Sequence, residues 1–168
     1  FGSSFDAAYP MLSAHRTIEA AEAETLFSIG QTDLQQGQHV LDLCCGGGRH
    51  MAHLAKVSDH VAGLDYSPQL LAIARDNLGP DIPLIRGDMR HLPFRERFDV
   101  IMNYFTSFGY FQDQEENQQV VRNMMDALKP GGRFFIDYMN KDWAIANIEY
   151  ETHRTVEGFR VHERRWIE

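Results

Sequence analysis

The sequence predicts an α/β fold with a doubly wound, mostly parallel sheet and helices on both of its faces. Short apolar runs of strand length alternate along the chain with segments of helical periodicity, and the connections between them are short. A glycine-rich turn, Gly46–Gly48, follows the first apolar run and precedes a helical segment. No internal repeat or low-complexity linker interrupts this order, so we expect one domain.

Five apolar runs are predicted to be strands, because each has the length of a buried strand and is bounded by turn residues. They are His39–Cys44, His60–Ser67, Ile82–Met89, Arg97–Phe105 and Arg133–Met139. The final segment, Tyr150–Glu168, alternates like a hairpin around Gly158. Its four arginines and four glutamates cancel in charge, which favours a solvated sheet face over a basic patch.

Helical periodicity and capping residues predict the helices between the strands. Ser67 and Pro68 form an N-cap and first-turn pair, and Asp113 with Glu116 predicts a capping box. The sequence Lys129–Gly132 is predicted to end the helix that begins at Asp113. The other predicted helices are Ala14–Ile29, Arg49–Lys56 and a segment between the fifth strand and the hairpin.

Composition and charge exclude several classes of protein. The chain has 168 residues, 43% of them hydrophobic, and a net charge of -8. That charge argues against a nucleic-acid partner held mainly by phosphate contacts. No apolar run approaches the ~20 residues of a membrane span, and no signal peptide is visible. The two cysteines do not make a disulfide framework, so we expect a cytoplasmic protein with no membrane partner.

Three predicted strand ends place suitable groups at one edge of the sheet, where open α/β sheets bind their ligands. The glycines of Gly46–Gly48 let backbone N–H groups approach a ligand, and the following helix presents its positive end. Asp65 ends the second strand, where a carboxylate can accept both hydroxyls of a ribose. Asp88 ends the third strand, where a carboxylate can accept from an adenine amino group.

Two other nucleotide sites compete with this interpretation. A dinucleotide site needs the pattern G-x-G-x-x-G, and Met51 stands where its third glycine is expected. A P-loop is excluded because no G-K-[ST] follows the glycines. The sequence therefore favours a nucleotide-like ligand that is bound without either pattern.

Five stretches resemble, in order and spacing, the successive motifs of class I S-adenosylmethionine-dependent methyltransferases. The stretches are VLDLCCGGGRH, VAGLDYSPQLL, IRGDMRHLPF, FDVIMNYFTSFGYF and ALKPGGRFFID. The resemblance spans His39 to Asp137. It implies a Rossmann-like methyltransferase fold, an enzyme that transfers a methyl group, and S-adenosylmethionine as the cofactor.

The resemblance also implies which residues hold the cofactor. In this family the glycine-rich turn approaches the methionine part, the acidic residue after the second strand holds the ribose, and the end of the third strand recognises adenine. The segment after the fourth strand lines the sulfonium and substrate side. The matching residues here are Asp42, Cys44, Gly46 and Gly48, then Asp65 and Tyr66, then Asp88 and Met89, and finally Asn103, Tyr104 and Phe105.

The turn departs from the family pattern D-x-G-x-G-x-G at Cys44, which stands at the first glycine position. A small thiol can replace glycine if φ stays negative, so we expect a negative φ and a packing role for Cys44 and Cys45. Redox and metal roles are less favoured, because neighbouring cysteines form strained disulfides and cannot easily share one ion. His50 and His53 could share a helix face, but no third ligand lies nearby in sequence, so we expect no metal site.

The residues after the fourth strand bear on the methyl acceptor. Neither the [DN]-P-P-[YFW] motif of amino methylases nor the Pro-Cys nucleophile of cytosine-C5 enzymes is present there. A dense aromatic run is present instead, comprising Tyr104, Phe105, Phe108, Tyr110 and Phe111. It either packs in the core, with only the tyrosines facing a ligand, or forms a wall for a small apolar or cationic acceptor.

We expect Phe108 and Tyr110 to contact the acceptor, and Tyr9 and Arg16, with His15, to cover the site from the N-terminal segment. Three functions stay open: a small-molecule N- or O-methyltransferase, which we favour; a protein- or RNA-modifying methyltransferase; and a non-catalytic cofactor-binding domain. No catalytic residue is assigned, because the cofactor carries the reactive group and an amine acceptor can arrive neutral.

We expect one methyltransferase domain in three parts: a helical cap (1–38), a cofactor-binding core (39–140) and a helix and hairpin extension (141–168). Relatives in this fold add two strands after the fifth, whereas 31 residues follow Asp137 here. We therefore expect the last strands of the sheet to be missing from this chain, which starts at Phe1 and could be a piece of a longer product. An uncovered sheet edge would invite a partner segment, and the oligomeric state is left open.

Overall fold

The central sheet has five parallel strands in the order β3-β2-β1-β4-β5. The computed structural model describes residues 17–105, 107–156 and 158–167. The strands are β1 (His39–Leu43), β2 (His60–Asp65), β3 (Leu84–Arg86), β4 (Phe98–Asn103) and β5 (Leu128–Ile136). The order reverses between β1 and β4, which opens a crevice at their carboxyl ends. The predicted Rossmann-like α/β fold is confirmed.

The helices begin and end close to the predicted signals. A short 3-10 helix (Glu19–Ala21) precedes the helices α1 (Glu22–Thr32), α2 (Met51–Leu54), α3 (Pro68–Leu78), α4 (Gln114–Ala127) and α5 (Lys141–Asn147). Ser67 caps α3 by accepting a hydrogen bond from the Leu70 N–H, as predicted. Asp113 caps α4 by accepting from the Glu115 N–H. The predicted capping box is wrong, because the Glu116 carboxylate pairs with Arg90 instead.

Several element boundaries differ from the sequence prediction. The first helix, predicted over Ala14–Ile29, runs to Thr32 in α1, and β3 has three residues where a strand is predicted over Ile82–Met89. Helix α2 has only four residues, because the chain tightens after it into i to i+3 hydrogen bonds before entering β2. Strand β5 begins at Leu128, so Lys129–Gly132 lies inside the strand rather than before it. Its pairing with β4 shifts between Phe98 and Val100, and Gly131 takes a φ of 79° within this irregular stretch.

Side chains alternate between the two faces of the sheet along each strand, and a hydrophobic core forms on each face. Leu41 and Leu43 of β1 pack on the side covered by α4, together with Val120 and Met124. Val40, which precedes Leu41 in β1, faces the opposite side of the sheet and packs there. The residues that join it there include Met51, Leu54, Val61, Val100, Met102 and the partly buried Ile29, Leu71 and Leu78.

The last described strands form a separate antiparallel hairpin, β6 (Glu151–Val156) and β7 (Phe159–Arg164). Gly158 lies in the turn with a φ of 84°, which confirms the predicted hairpin and its centre. Within the described residues, the parallel sheet therefore has five strands, with β3 and β5 at its edges. Among those residues, no helix is both long enough and apolar enough to cross a membrane.

Gly63 of β2 provides a test of how tightly the strand packs against the element that follows the glycine-rich turn. A Cβ atom at Gly63 would lie 2.5 Å from Met51 Sδ and 2.8 Å from Cys45 Sγ, and both side chains are buried. We expect Gly63→Ala to destabilise the protein by about 1–3 kcal/mol through overpacking. The midpoint of urea unfolding measures the change.

Gly30 is the matched control, because it lies on the exposed side of α1 with nothing within 4 Å of an added Cβ atom. Gly30→Ala is expected to raise the free energy of unfolding by roughly 0.5–1 kcal/mol, since alanine favours helix. Equal unfolding midpoints for Gly63→Ala and the wild type would show that the contact at Gly63 is not restrictive.

Candidate functional site

Two buried carboxylates lie at the carboxyl ends of neighbouring strands. Asp42 is in β1 and Asp65 ends β2, and both side chains are buried. Burial and, to a lesser degree, the nearby Asp65 carboxylate raise the pKa of Asp42 against the opposing charge of Arg49, to about 8 in all. Burial also raises the pKa of Asp65, against the hydrogen bonds from Ser67 N–H and Gly46 N–H and the nearby Tyr66 N–H, which lower it. Neutral Asp42 is therefore the dominant form near pH 7.

Asp65 connects two turns through its two oxygens. Gly46 N–H donates to Asp65 Oδ2 over 2.8 Å, and Ser67 N–H donates to Asp65 Oδ1 over 2.8 Å. The first bond fixes the glycine-rich turn after β1, and the second fixes the start of α3. Tyr66 follows directly, with 39% of its surface exposed at the same edge. The acidic strand end therefore lies where the sequence predicts it.

Two buried oxygen atoms at this edge have no hydrogen-bond donor among the described residues. They are Asp42 Oδ2 and Asn103 Oδ1. Asn103 ends β4, and its amide nitrogen donates to the Leu43 carbonyl over 2.8 Å, which fixes the orientation of the side chain. Buried acceptors without a donor are uncommon and costly in native proteins. Two of them on neighbouring strands favour a ligand that brings hydrogen-bond donors.

The glycine-rich turn contains a correction to the sequence analysis. Cys44 has a φ of 65°, so the expected negative φ is wrong and the thiol residue occupies a left-handed conformation that favours glycine. The regular pairing of β1 with β2 ends here, and both Cys44 N–H and Cys45 N–H donate to the Leu64 carbonyl of β2. Gly46 and Gly48 continue the turn with φ values of 54° and 78°.

The two cysteines are packing residues, as expected. Both are free thiols; Cys45 is buried, and Cys44 Sγ lies 3.6 Å from Met89 Sδ. Burial, assisted by the Asp42 and Asp65 carboxylates, raises the pKa of each thiol well above its ordinary value. A protonated thiol is a poor nucleophile and a poor metal ligand. The contact also places buried Met89 against the glycine-rich turn.

Asp88 is at the predicted edge, but it already has a strong partner. Arg90 Nε donates to both oxygens of Asp88, over 3.0 and 3.1 Å, and its guanidinium also pairs with Glu116 of α4. The hydrogen bonds from Arg90 lower the pKa of Asp88. The guanidinium carbon lies 4.6 Å from the centre of the Phe111 ring. This network ties the loop after β3 to α4 and holds Asp88 ionised.

Tyr104 is more deeply buried than the sequence predicts. Its ring stacks on His50 with 3.8 Å between ring centres, and its hydroxyl is hydrogen-bonded to the Ser28 hydroxyl of α1. Burial lowers the pKa of His50 to about 4, so this histidine is neutral and its Nε2 bonds to Glu24 over 2.9 Å. Tyr104 therefore joins α1 to the end of β4.

The aromatic run divides between core and surface. Phe111 is buried and Phe108 packs partly against the same core, whereas Phe105 and Tyr110 are 41% and 39% exposed. The alternative in which all three phenylalanines point inward and the tyrosines outward is therefore wrong for Phe105 and for Tyr104, which is 4% exposed. Phe105 has a φ of 54°, which turns the chain sharply outward after β4.

Sequence reasoning missed two charged residues at this edge. Asp137 follows β5, and its Oδ2 accepts a hydrogen bond from Phe105 N–H over 3.1 Å. Arg49 follows the glycine-rich turn, pairs with Glu24 of α1 over 3.2 Å and lies 5.8 Å from the centre of the Phe105 ring. The strand-end pattern that identified Asp65 and Asp88 also applies to Asp137. Tyr9, His15 and Arg16 lie outside the described residues.

The geometry defines an α/β domain whose glycine-rich turn and buried acceptors lie at the carboxyl edge of a parallel sheet, the edge at which open α/β sheets bind ligands. The methyltransferase domain family matches residues 40–132 of the chain. The chain therefore belongs to the class I S-adenosylmethionine-dependent methyltransferases, as the sequence resemblance implies.

Individual relatives act on amines. The dTDP-3-amino-3,4,6-trideoxy-alpha-D-glucopyranose N,N-dimethyltransferase of Streptomyces venezuelae is 32% identical over 143 residues, which are 82% of this chain and 60% of that protein. The cypemycin N-terminal methyltransferase of a Streptomyces species is 37% identical over 102 residues, 60% of this chain and 42% of that protein.

A solved structure shows the same fold with the cofactor in place. CalS10 from Micromonospora echinaspora, an amino pentose methyltransferase crystallised with bound S-adenosylmethionine, matches with a TM-score of 0.67 at 26% identity. The match covers 95% of this chain and 66% of that chain. This chain thus spans between two fifths and two thirds of the length of these three proteins.

The left-handed conformation of Cys44 leads to an unusual expected order of stability. Cys44→Gly and Cys44→Ala both remove the thiol and its contact with Met89, but only alanine keeps the Cβ atom that a φ of 65° disfavours. At a position with ordinary backbone angles, a protein with glycine is less stable than one with alanine by roughly 0.5–1 kcal/mol. Here relief of about 1–2 kcal/mol of strain opposes that loss, so the glycine variant should be at least as stable.

Urea unfolding of the two Cys44 variants, measured side by side, decides the question. Cys44→Val extends the series, and its β-branched side chain should be the least stable of the three at this φ. A glycine variant that is less stable than the alanine variant by the ordinary margin would show that Cys44 carries no strain.

Proposed function

We propose that this protein transfers the methyl group of S-adenosylmethionine to a nitrogen or oxygen atom of a small molecule. The observation that carries the proposal is the pair of buried acceptors Asp42 Oδ2 and Asn103 Oδ1, which lie at the carboxyl edge of the sheet and receive no donor from the described residues. S-adenosylmethionine has an ammonium group that can donate hydrogen bonds to these acceptors, so the two oxygen atoms fit the cofactor of the family. When bound, the cofactor supplies an electrophilic methyl group on a sulfonium.

The assignment of cofactor contacts follows the strand ends. Asp42, Cys44, Gly46 and Gly48 are proposed to face the methionine part, where backbone N–H groups and one carboxylate suit an amino acid. Asp65 is proposed to hold the ribose hydroxyls. Its two oxygens each accept one backbone N–H already, and each retains a second lone pair for a hydroxyl.

The proposed binding site for the adenine ring lies at the ends of β2 and β3, towards the edge of the sheet. Tyr66 offers an exposed ring at the end of β2, and Met89 offers a buried thioether against Cys44. Asp88 is held ionised by Arg90 and is proposed to accept from the adenine amino group. Arg90 fixes the carboxylate through its backbone N–H and its guanidinium, which engage both oxygens, so an adenine amino group would share one oxygen of Asp88 with Arg90.

The proposed acceptor site lies beyond β4 and favours an amine. Asn103, Tyr104 and Phe105 lead from the cofactor edge to the exposed rings of Phe105 and Tyr110, with Phe108 behind them. A cationic amine is attracted by aromatic faces, and the Asp137 carboxylate beside Phe105 adds a negative charge. The relatives named for amino sugars support the same acceptor class. Tyr9 and Arg16 are proposed to cover this site.

The protein's own contribution to the reaction is orientation. In-line transfer requires the acceptor nitrogen to approach the methyl group along one direction, and holding it there can supply about 7–11 kcal/mol. Phe105 is fixed for this purpose by its bond to Asp137, and Tyr104 is fixed by His50 and Ser28. Only a neutral nitrogen can attack the methyl group, so an amine that is attracted as a cation must release its proton to solvent before transfer. None of these residues is assigned a proton-transfer role.

The competing functions are weaker. An RNA acceptor conflicts with the net charge of -8, whereas a peptide acceptor does not, and one relative is named for a peptide N-terminus. A non-catalytic cofactor-binding domain would share the site around Asp42 but would not need the exposed rings of Phe105 and Tyr110 for an acceptor. Cofactor binding without turnover on any acceptor would identify that third function.

The organisation of the chain is proposed as predicted: a cap in 1–38, a cofactor-binding core in 39–140 and an extension in 141–168. A reducing, cytoplasmic location is proposed because both thiols are free. Strands β3 and β5 form the edges of the described sheet and are proposed as the places where another segment or a second copy could pair.

Proton release tests the role of Asp42 in cofactor binding. Its raised pKa keeps Asp42 protonated below about pH 8 in the free protein, and an ammonium group beside it favours the ionised form. Binding of S-adenosylhomocysteine at about pH 6.5 should therefore release about one proton, because the free ligand's amino group is already protonated there. Calorimetry in buffers of different ionisation enthalpy counts the protons.

Asp42→Asn should bind more weakly and without this release, because the titrating group is gone. Asp76→Asn, on the exposed side of α3, is the control and should behave like the wild type. Equal proton counts for Asp42→Asn and the wild type would remove Asp42 from the proposed ammonium site while leaving the methyltransferase assignment intact.

Turnover with labelled S-adenosylmethionine tests the acceptor class. The full-length protein is screened against amino sugars, other small amines, phenols, carboxylates, peptides and RNA. We expect turnover on a small amine. Tyr110→Ala should lower kcat/KM by about 2–30-fold, which corresponds to ~0.5–2 kcal/mol of cation–π attraction, whereas Tyr110→Phe should retain most of the activity.

Two results would contradict this acceptor site. Turnover on peptide or RNA but on no small molecule would replace the acceptor class. Unchanged turnover in Tyr110→Ala, with a small-molecule acceptor identified, would place that acceptor elsewhere on the protein.

A further inference from the structure

The exposed face of the hairpin carries two stacked histidines beside a carboxylate. His153 and His162 are paired across β6 and β7, with 4.2 Å between ring centres and 19° between ring planes. One ligand atom from each histidine and one oxygen of Glu151 all lie within 4.8 Å of one another. Within the described ranges, no other group of three His, Cys, Asp or Glu side chains comes as close together.

The hairpin geometry explains why these side chains meet. Glu151 and His153 are two residues apart on β6 and share a face, and the antiparallel register sets His162 opposite His153. Arg164 Nε contacts Glu151 Oε1 over 3.2 Å, which leaves Oε2 turned towards His162 Nε2 at 3.8 Å. Arg164 thus orients the carboxylate through one oxygen and leaves the other available.

We propose that Glu151, His153 and His162 bind one divalent transition-metal ion of the Zn²⁺, Ni²⁺ or Cu²⁺ class. Two imidazoles and one carboxylate suit these ions, whereas Mg²⁺ and Ca²⁺ prefer oxygen ligands alone. Bonds of about 2.0–2.2 Å around a tetrahedral ion separate the donors by roughly 3.4 Å. The observed spread of up to 4.8 Å closes by side-chain rotation on an exposed face, without a change in the strands.

The site is separate from the cofactor site in both sequence and chemistry. The methyltransferase domain match ends at residue 132, and the three ligands follow it. Three protein ligands leave at least one coordination position for water or for a group from outside the protein. The metal is therefore expected to bind whether or not S-adenosylmethionine is present.

The protein contains a matched control for the stacked histidines. His39 and His60 also pair across neighbouring strands, with ring centres 4.4 Å apart and ring planes within 8° of parallel. They belong to no group of three close donors among the described residues. If stacking alone attracted metal ions, both pairs would bind; if the carboxylate is required, only the hairpin pair would.

Metal titration of the full chain, without an affinity tag and after treatment with EDTA, tests the proposal. Zn²⁺ binding is measured by calorimetry and Co²⁺ binding by its visible absorption. We expect about one equivalent of metal in the wild type and in His60→Asn, and none in His153→Asn or His162→Asn. Glu151→Gln should weaken binding by about 10–100-fold or more.

Thermal unfolding gives a second readout, because a ligand that binds only the folded hairpin raises the midpoint of the protein. Saturating Zn²⁺ should raise the midpoint in the wild type and leave it unchanged in His153→Asn. Three results would overturn the proposal: no stoichiometric binding to the wild type, wild-type binding in His153→Asn and His162→Asn, or a loss of binding in His60→Asn as large as in those two variants. S-adenosylhomocysteine affinity, measured on the same variants, is expected to stay unchanged.

Discussion

The carboxylate of Asp65 holds the functional edge of the sheet in place. It accepts from Gly46 N–H in the turn after β1 and from Ser67 N–H at the start of α3, so one side chain sets two strand-to-helix connections. Charge-assisted hydrogen bonds of this kind contribute about 1.5–3 kcal/mol each, and the buried site makes an unpaired carboxylate costly. The first of these turns follows directly on β1, the strand that carries Asp42.

Most of the fold is predictable from the sequence, because it depends on local signals that agree with the global pattern. The strand β1 and the cap of α3 at Ser67 lie where periodicity and capping chemistry indicate. The errors arise where tertiary contacts override a local signal. Glu116 pairs with Arg90 rather than closing a capping box, and a shift in the pairing of β4 and β5 draws Lys129–Gly132 into the strand.

The candidate site was only partly predictable for a related reason. The strand-end rule identified Asp65, but the left-handed conformation of Cys44 depends on two hydrogen bonds to the Leu64 carbonyl that no sequence pattern reveals. The burial of Tyr104 depends on α1, whose packing position is not encoded in its own periodicity. The ligand cluster proposed around His153 is not predictable from sequence spacing, because cross-strand register rather than separation along the chain brings its members together.

Hydrogen-bond satisfaction separates the polar groups that serve the fold from those available to a ligand. Asp99 is satisfied by the chain itself, because it accepts from Lys129 Nζ and from His39 N–H, each over 2.7 Å. Asp42 Oδ2 and Asn103 Oδ1 receive no donor from the described residues, although both are buried. A stable fold tolerates such a cost only at a few places. Because both atoms lie at the carboxyl edge, where the order of the strands reverses, that cost is concentrated where a donor-bearing ligand can repay it.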